Sequence, residues 1–263
     1  MPPRSIWSGS ISFGLVNVPV KMTTAVSQKD VRFNQLHVKD NGRITQKRTC
    51  SVCGEEVTYD DLVKGYDVGG GRYVVIEPSE LNSLDPEATH TIDIEEFVDL
   101  DQIDPLYFDH PYYLVPDGRA AKPYALLVRA MAASNKVAIA RVVLRTKQYL
   151  AAIRAKDDAL VMSTLNYADE VLPTEGLDVP GIEVELTDKE LQMAEQLIES
   201  LAAKFDPDKY HDDYRDAVLD LIARKDEGQE IVMQPVAEAP SRVEDLMAAL
   251  EASVKAAKEK REG

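Results

Sequence analysis

The sequence predicts an α+β protein, with a β-barrel or β-sandwich over residues 1–170 followed by helices. Two observations predict this class. Many short apolar segments with a period of two, separated by turn residues, occupy the first 170 residues with few helical patterns among them. After about residue 187, apolar residues instead recur at helical spacing behind Ser and Thr capping residues.

The strands are justified in chain order. Residues 9–22 are predicted to form a strand pair because apolar residues alternate on both sides of Gly14. Two short strands are predicted around the turn residues Asp40-Asn41-Gly42, at 31–38 and 43–49. A tight turn is expected at 50–55. Further strands are predicted at 73–76, 90–98, 111–115, 137–146, 149–153 and 160–165.

The helices are predicted from caps and apolar spacing. Short and longer helices are expected at 78–84 and 122–133. Thr187 and Glu190 form a capping box before an amphipathic helix, and a second helix is expected from about 207 to 228. Residues 229–240 are a predicted linker, and Ser241 and Glu244 form a capping box before a last helix.

The net charge of −16 argues against nucleic acid when it is taken as one number. The charges are nevertheless segregated, because residues 1–50 and 119–160 are basic while 51–118 and 161–240 are acidic. These blocks can neutralise each other in the fold. Alternatively, a basic face can bind a partner while the whole molecule stays acidic, because charges more than about 8–10 Å apart are largely screened at physiological salt. On strand 137–146 the even positions are apolar, so Arg141, Arg145 and the following Lys147 are expected on one polar face.

The composition sets limits on the function. A hydrophobic content of 44% and a charged content of 29% exclude general disorder. Two cysteines argue for a reducing compartment, and no apolar run or secretion signal is present, so a cytoplasmic location is expected. Phosphate-loop, dinucleotide and nucleophile-elbow motifs are missing from the sequence, so no enzyme is predicted.

Cys50 and Cys53 form half of a zinc ribbon, because a C-x2-C turn followed by Gly brings two sulfurs to one tetrahedral edge. The second half is missing from the sequence. Two subunits could pool four thiolates, or the residues could form a plain turn with reduced thiols. No cofactor is predicted, with zinc at Cys50 and Cys53 as the alternative.

Four long segments closely resemble bacterial Ku, the DNA-end-binding protein of non-homologous end joining, in its actinobacterial form. They are SIWSGSISFGLVNVPVKM, KDNGRITQKRTCSVCGEEV, EFVDLDQIDPLYFDHPYYLVPDG and VAIARVVLRTKQYLAAIR. The resemblance implies a homodimer whose β-barrels carry extended bridge segments that close a ring around duplex DNA, with a C-terminal helical arm. It implies a barrel core with its bridge at 1–175, an arm at 176–228, a linker at 229–240 and a ligase-recruiting helix at 241–263.

The resemblance also implies the partners and their residues. Double-stranded DNA ends are expected at the basic residues Lys39, Arg43, Lys47, Arg48, Lys64, Arg141, Arg145 and Lys147. ATP-dependent DNA ligase D is expected at Val243, Leu246, Met247, Leu250 and Val254. The protein would then be a nucleoid-associated, non-enzymatic end binder. The competing interpretations are an acidic protein–protein scaffold and a zinc-dependent enzyme that uses Cys50 and Cys53.

Overall fold

The computed structural model describes residues 4–84, 90–118, 120–144, 147–177, 179, 184–228 and 246–262. Its strands are β1 (Trp7–Phe13), β2 (Val16–Thr24), β3 (Lys64–Asp67), β4 (Tyr73–Ile76), β5 (Thr91–Asp99), β6 (Phe108–Pro116), β7 (Lys136–Leu144), β8 (Lys147–Lys156) and β9 (Ala159–Leu165). Its α-helices are α1 (Pro78–Leu84), α2 (Ala121–Ser134), α3 (Asp188–Leu201), α4 (Asp213–Asp226) and α5 (Leu246–Glu262).

A closed barrel forms the centre of the fold and confirms the predicted class. The strand order is β1-β2-β6-β9-β8-β7-β5, and β5 closes the barrel by pairing in parallel with β1. The other neighbours in the barrel pair antiparallel. Closure leaves the barrel without an unpaired strand edge. Strands β3 and β4 form a separate two-stranded antiparallel sheet.

The core fills the inside of the barrel and the space under α2. Ala138, Ala140 and Val142 on β7 are buried, so the predicted apolar stripe of this strand is confirmed. Tyr124 of α2 is 6% exposed, and its hydroxyl donates to the Leu114 carbonyl oxygen at 2.6 Å while accepting from the Leu160 N–H at 2.9 Å. Helix α2 is thereby hydrogen-bonded to β6 and β9. Burial raises the pKa of Tyr124.

The predicted strands at 31–38 and 43–49 are not formed, although the turn between them is. Asn41 has φ of 54°, and the His37 N–H donates to the Gly42 carbonyl oxygen at 2.8 Å. Only one isolated bridge, between Leu36 and Arg43, joins these two segments in the described structure. Val38 is 94% exposed, so the apolar layer that normally stabilises a half-buried strand does not cover these residues.

Several other predicted elements differ at their ends from the observed ones. The strand predicted at 137–146 stops at Leu144, and β8 begins at Lys147. The helix predicted from about 207 begins as a 3-10 turn at Pro207–Lys209, and α4 starts only at Asp213. The Asp212 side chain accepts from the Arg215 N–H at 2.9 Å, which makes Asp212 the N-cap and fixes the later start.

Backbone contacts divide the chain into two compact units. The first contains the described parts of 1–29 and 34–173, and the second those of 30–33 and 174–263. Within the second unit, α5 packs against α3, and Val254 of α5 is 7% exposed. In the part of the chain that the structure describes, none of the helices has the length and apolarity to span a membrane.

Candidate nucleic-acid interface

The candidate DNA-binding cations lie in the first unit, and the described ones are exposed. Arg145 lies outside the described residues. The exposed ones are Lys39, Arg43, Lys47, Arg48, Lys64, Arg141 and Lys147. Exposure leaves each charged group accessible to a phosphate oxygen, which is the first requirement for backbone recognition.

Three of these cations form ion pairs with carboxylates, and we call them the paired cations. Lys47 Nζ lies 2.7 Å from Glu56 Oε2, next to the isolated bridge between Thr49 and Glu56. The other two pairs are Arg141 Nε with Glu95 Oε1 at 3.0 Å and Lys147 Nζ with Glu170 Oε1 at 3.4 Å. All three pairs are solvent-exposed, with side-chain exposures between 44% and 70%.

Two further cations are held by neutral groups. Arg43 Nη2 donates to Asn34 Oδ1 at 2.8 Å. Arg48 donates to the Tyr59 hydroxyl, and its guanidinium carbon lies 4.0 Å from the centroid of the Tyr59 ring. These contacts orient the two guanidinium groups without neutralising them.

Like Arg43 and Arg48, Lys39 and Lys64 have no ion-pair partner among the described residues. Their ammonium groups therefore carry an uncompensated positive charge. Lys64 is the first residue of β3, so its backbone position is set by the pairing of Lys64 with Ile76 in the two-stranded sheet.

The expected single polar face of residues 141–147 is wrong for Lys147. Arg141 pairs with Leu150 and points away from the core, since its neighbours on β7 are buried. Lys147 pairs with Leu144 and therefore has the parity of the interior side chains. The physical reason is that β7 ends at Leu144 and β8 begins at Lys147, antiparallel to it, so Arg141 and Lys147 do not belong to one continuous strand. The Lys147 amine lies 5.1 Å from the centroid of the Tyr149 ring.

The C-x2-C segment forms the predicted tight turn. The Cys50 N–H donates to the Glu55 carbonyl oxygen at 2.8 Å, and the Gly54 N–H donates to the Cys50 carbonyl oxygen at 2.9 Å. Gly54 has φ of +76°, a conformation that glycine adopts without strain. Backbone N–H groups of Cys53 and Val52 lower the pKa of the Cys50 thiol.

Both thiols are free, and the turn supplies two candidate metal ligands. A tetrahedral zinc site needs four. The described residues hold no cluster of three or more His, Cys, Asp or Glu side chains suited to a metal ion. The remaining ligands of such a site would have to come from outside this set of residues.

The candidate ligase-binding residues lie on or before α5. Val243 and the side chain of Leu246 lie outside the described residues. Met247 and Leu250 are half-buried, and Val254 is buried. Because α5 packs against α3, the apolar side of this helix is already partly covered within the second unit.

A cavity of about 300 Å³ lies at the end of the barrel where β7 ends, and Trp7, Tyr112 and Tyr149 are among its lining residues. Thr164, one of its polar lining residues, has a structural role. The register of β6 against β9 shifts between Phe108 and Pro111, and the His110 N–H donates to Thr164 Oγ1 at 3.0 Å across this irregularity. The Thr164 hydroxyl therefore compensates for a lost ladder hydrogen bond.

Sequence reasoning missed the acidic partners Glu56, Glu95 and Glu170. Glu95 reaches Arg141 only because β5 pairs with β7, with a register shift between Ile94 and Glu96. No spacing in the sequence signals such a pair. Glu56 had a weak signal, because it follows Lys47 across a tight turn and can thus lie opposite it.

The chain matches known proteins over most of its length. The model of the family described as "Ku70/Ku80 beta-barrel domain" matches residues 12–193. A protein of Anaeromyxobacter sp. (strain K), named non-homologous end joining protein Ku, is 50% identical over 97% of this chain and 86% of its own length. Proteins of the same name are 44% identical in Heliobacterium modesticaldum and 43% identical in Mycobacterium tuberculosis H37Rv. These two matches cover 97% and 96% of this chain, and 92% and 95% of the relatives.

Proposed function

Because the chain belongs to the Ku family, we propose that it binds double-stranded DNA ends in non-homologous end joining. The observation that carries the proposal is the set of exposed cations within the matched region, residues 12–193. Lys and Arg side chains that contact phosphates provide affinity without reading sequence. An end-joining protein needs this chemistry, since broken ends have arbitrary sequences.

The proposed route to end specificity is threading through a closed ring of two subunits. A closed ring admits duplex DNA only from an end, so the chemistry of the end need not be read. Exposed apolar side chains support self-association, because large exposed apolar areas mark interaction surfaces. They occur on β3–β4 and in the second unit, and they include Tyr66, Tyr73, Phe205, Tyr210 and Tyr214.

Comparison of linear duplex with a covalently closed circle of the same sequence tests the proposal. At moderate salt we expect binding to the linear duplex and little binding to the circle. Equal affinity for both would contradict threading. Absence of binding to either DNA would favour the acidic protein–protein scaffold instead.

Arg141→Glu tests the DNA-facing assignment on β7. We expect weaker DNA binding and an unchanged sedimentation coefficient, because Arg141 is exposed and its ion pair with Glu95 is its only side-chain bond to another described residue. Lys136→Glu is the matched control, since Lys136 lies on the same strand, is paired with Asp99 and is not a candidate contact. Equal loss of DNA binding in both variants would show that the effect comes from the general change of charge and not from a contact at Arg141.

The homodimer is tested by Tyr214→Glu in α4. Tyr214 is 81% exposed in the single chain, and an aromatic side chain at such a position is typical of a contact that another subunit buries. The carboxylate introduced by the substitution should therefore weaken dimerisation. Analytical ultracentrifugation measures the effect. Leu15→Glu at the β1–β2 turn, where Leu15 is fully exposed, serves as the control. A Tyr214→Glu protein with the wild-type dimer constant would remove α4 from the interface.

We further propose that residues 241–263 recruit ATP-dependent DNA ligase D. The support is the resemblance of this segment to the family's C-terminal element and the apolar character of α5. Deletion of 241–263 should leave DNA binding intact and reduce stimulation of ligation. Because α5 packs against α3, circular dichroism of the truncated protein must show that α3 is retained. Unchanged ligation by a folded truncated protein would refute the recruitment role.

We propose that the protein has no catalytic role and that it acts at the nucleoid in the cytoplasm. The family match assigns no reaction to the chain. Metal analysis separates this proposal from a zinc-dependent enzyme, because such an enzyme would contain zinc and lose its structure or activity with a chelator.

A further inference from the structure

We infer that Glu56, Glu95 and Glu170 are internal competitors for DNA phosphate that limit the affinity of the protein for DNA. The inference rests on the proposed function, because it concerns the same cations. It assigns these carboxylates a role in DNA release that a purely structural ion pair would not have.

The geometry places one carboxylate on each of the paired cations. The closest approaches are 2.7 Å for Lys47 and Glu56, 3.0 Å for Arg141 and Glu95, and 3.4 Å for Lys147 and Glu170. A phosphate oxygen needs the same N–H donors. DNA phosphates can therefore bind these three cations directly only when the carboxylates are displaced.

Glu170 is held in place independently of its cation. The Tyr167 N–H donates to Glu170 Oε2 at 2.8 Å, which leaves Oε1 directed to Lys147. This backbone hydrogen bond, together with the charge of Lys147, lowers the pKa of Glu170 despite the opposing effect of desolvation. The competing carboxylate is consequently ionised at neutral pH.

The expected size of the effect follows from the exposure of these pairs. Exposed ion pairs shift an equilibrium by about 1.5- to 5-fold each. DNA phosphates nevertheless displace the carboxylates from the cations, because a duplex presents one charge per about 1.7 Å of its axis. Each carboxylate then weakens DNA binding by a few-fold, and it reoccupies the cation as the phosphate leaves. Together the three carboxylates would keep the complex mobile and releasable.

Isosteric Glu→Gln variants of the full-length protein provide the test. E56Q, E95Q and E170Q should each bind a linear duplex about 2- to 5-fold more tightly and dissociate more slowly. The side-chain amide oxygen in E170Q can still accept from the Tyr167 N–H, so the local turn is preserved. Asp99→Asn and Asp117→Asn are matched controls, since they remove one charge each from exposed pairs with Lys136 and Lys21.

A double-mutant cycle separates local competition from general charge repulsion. In a Lys47→Gln background, E56Q should lose its effect on DNA affinity, because no cation remains to be released. A gain that persists in this background, equal gains in the two Asp→Asn controls, or unchanged affinity in all three Glu→Gln variants would overturn the inference. Failure of the wild-type protein to bind linear duplex would instead overturn the proposed function.

Discussion

The hydroxyl of Tyr124, a buried residue of helix α2, has a structural role in addition to the burial of its ring. The Tyr124 hydroxyl is buried and serves two backbone groups, the Leu114 carbonyl oxygen and the Leu160 N–H. Loss of this hydroxyl would leave a buried donor and a buried acceptor unsatisfied. A group left in this state costs about 1–3 kcal/mol.

Tyr124→Phe should therefore lower the free energy of unfolding of the barrel by about 1–3 kcal/mol. Urea denaturation followed by tryptophan fluorescence measures the change, since Trp7 is the only tryptophan and lies on β1. Tyr113→Phe is the control, because the Tyr113 hydroxyl has no hydrogen-bond partner among the described residues. Similar effects of the two substitutions would show that the hydroxyl of Tyr124 has no special role.

The Cys50 thiol of the C-x2-C turn should react at a lower pH than an ordinary thiol. N–H groups of Cys53 and Val52 stabilise the Cys50 thiolate and lower its pKa. In Cys53→Ser, the rate of alkylation by iodoacetamide should therefore reach half its maximum at a pH below that of an ordinary thiol. The same variant unfolded in urea, in which these N–H groups no longer surround the thiol, is the comparison. Identical pH profiles for the folded and unfolded samples would contradict the proposed hydrogen bonds.

Sequence reasoning at the residue scale identified charges but not their partners. The exposure of Arg141 and the burial of Val142 follow from strand parity, which the sequence shows directly. The pairing of Arg141 with Glu95 depends on which strands become neighbours in the barrel. That choice is made by tertiary packing, so the sequence of one chain does not predict it.

At the scale of the element, the helices illustrate how caps set boundaries. Thr187 and Glu190 form the predicted capping box of α3, with the Thr187 N–H donating to Glu190 Oε2 at 2.8 Å and the Glu190 N–H donating to Thr187 Oγ1 at 3.3 Å. The hydrogen bonds from the Thr187 hydroxyl and the Thr187 N–H lower the pKa of Glu190. Both partners of the box were identified from the sequence.

Thr187→Ala should destabilise α3 by about 1 kcal/mol, which is typical for the loss of an N-cap. Hydrogen exchange of the Glu190 and Leu191 amides, which donate to Thr187, should accelerate about fivefold, and Thr187→Ser should retain their protection. Because the pKa of Glu190 is lowered in the fold, its contribution is present above the ordinary value of 4.5 and is lost as the pH falls through the lowered pKa. Unchanged exchange in Thr187→Ala would contradict the role of the box.

The elements that the sequence predicted best are those with strong local signals. Strand β4 and helix α1 have the predicted bounds, because a glycine turn and a proline start delimit them. The segments around Asp40 had an equally strong turn signal, yet they form only one bridge. A turn determines where a chain reverses, whereas a strand also needs a layer that covers one of its faces.

At the scale of the whole molecule, the distribution of charge matters more than the net value of −16. Long-range repulsion from a polyanion would weaken with added salt, so affinity governed by net charge would rise with salt concentration. Direct phosphate contacts have the opposite dependence, since each contact contributes a slope of about −0.9 in a plot of log K against log salt. Charges separated by more than about 8–10 Å are screened at physiological salt, so the contacts should dominate.

DNA affinity should therefore fall with salt, and Lys64→Ala should reduce the steepness of that fall. Lys64 has no ion-pair partner among the described residues, so its full charge is available to a phosphate. Loss of one phosphate contact reduces the slope by about one. A homodimer loses one such contact in each subunit, so its slope should fall by about two. Lys136→Ala, which removes a cation paired with Asp99, should leave the slope unchanged. An affinity that rises with salt would show that net charge governs binding, and equal slopes for both variants would show that Lys64 does not contact a phosphate.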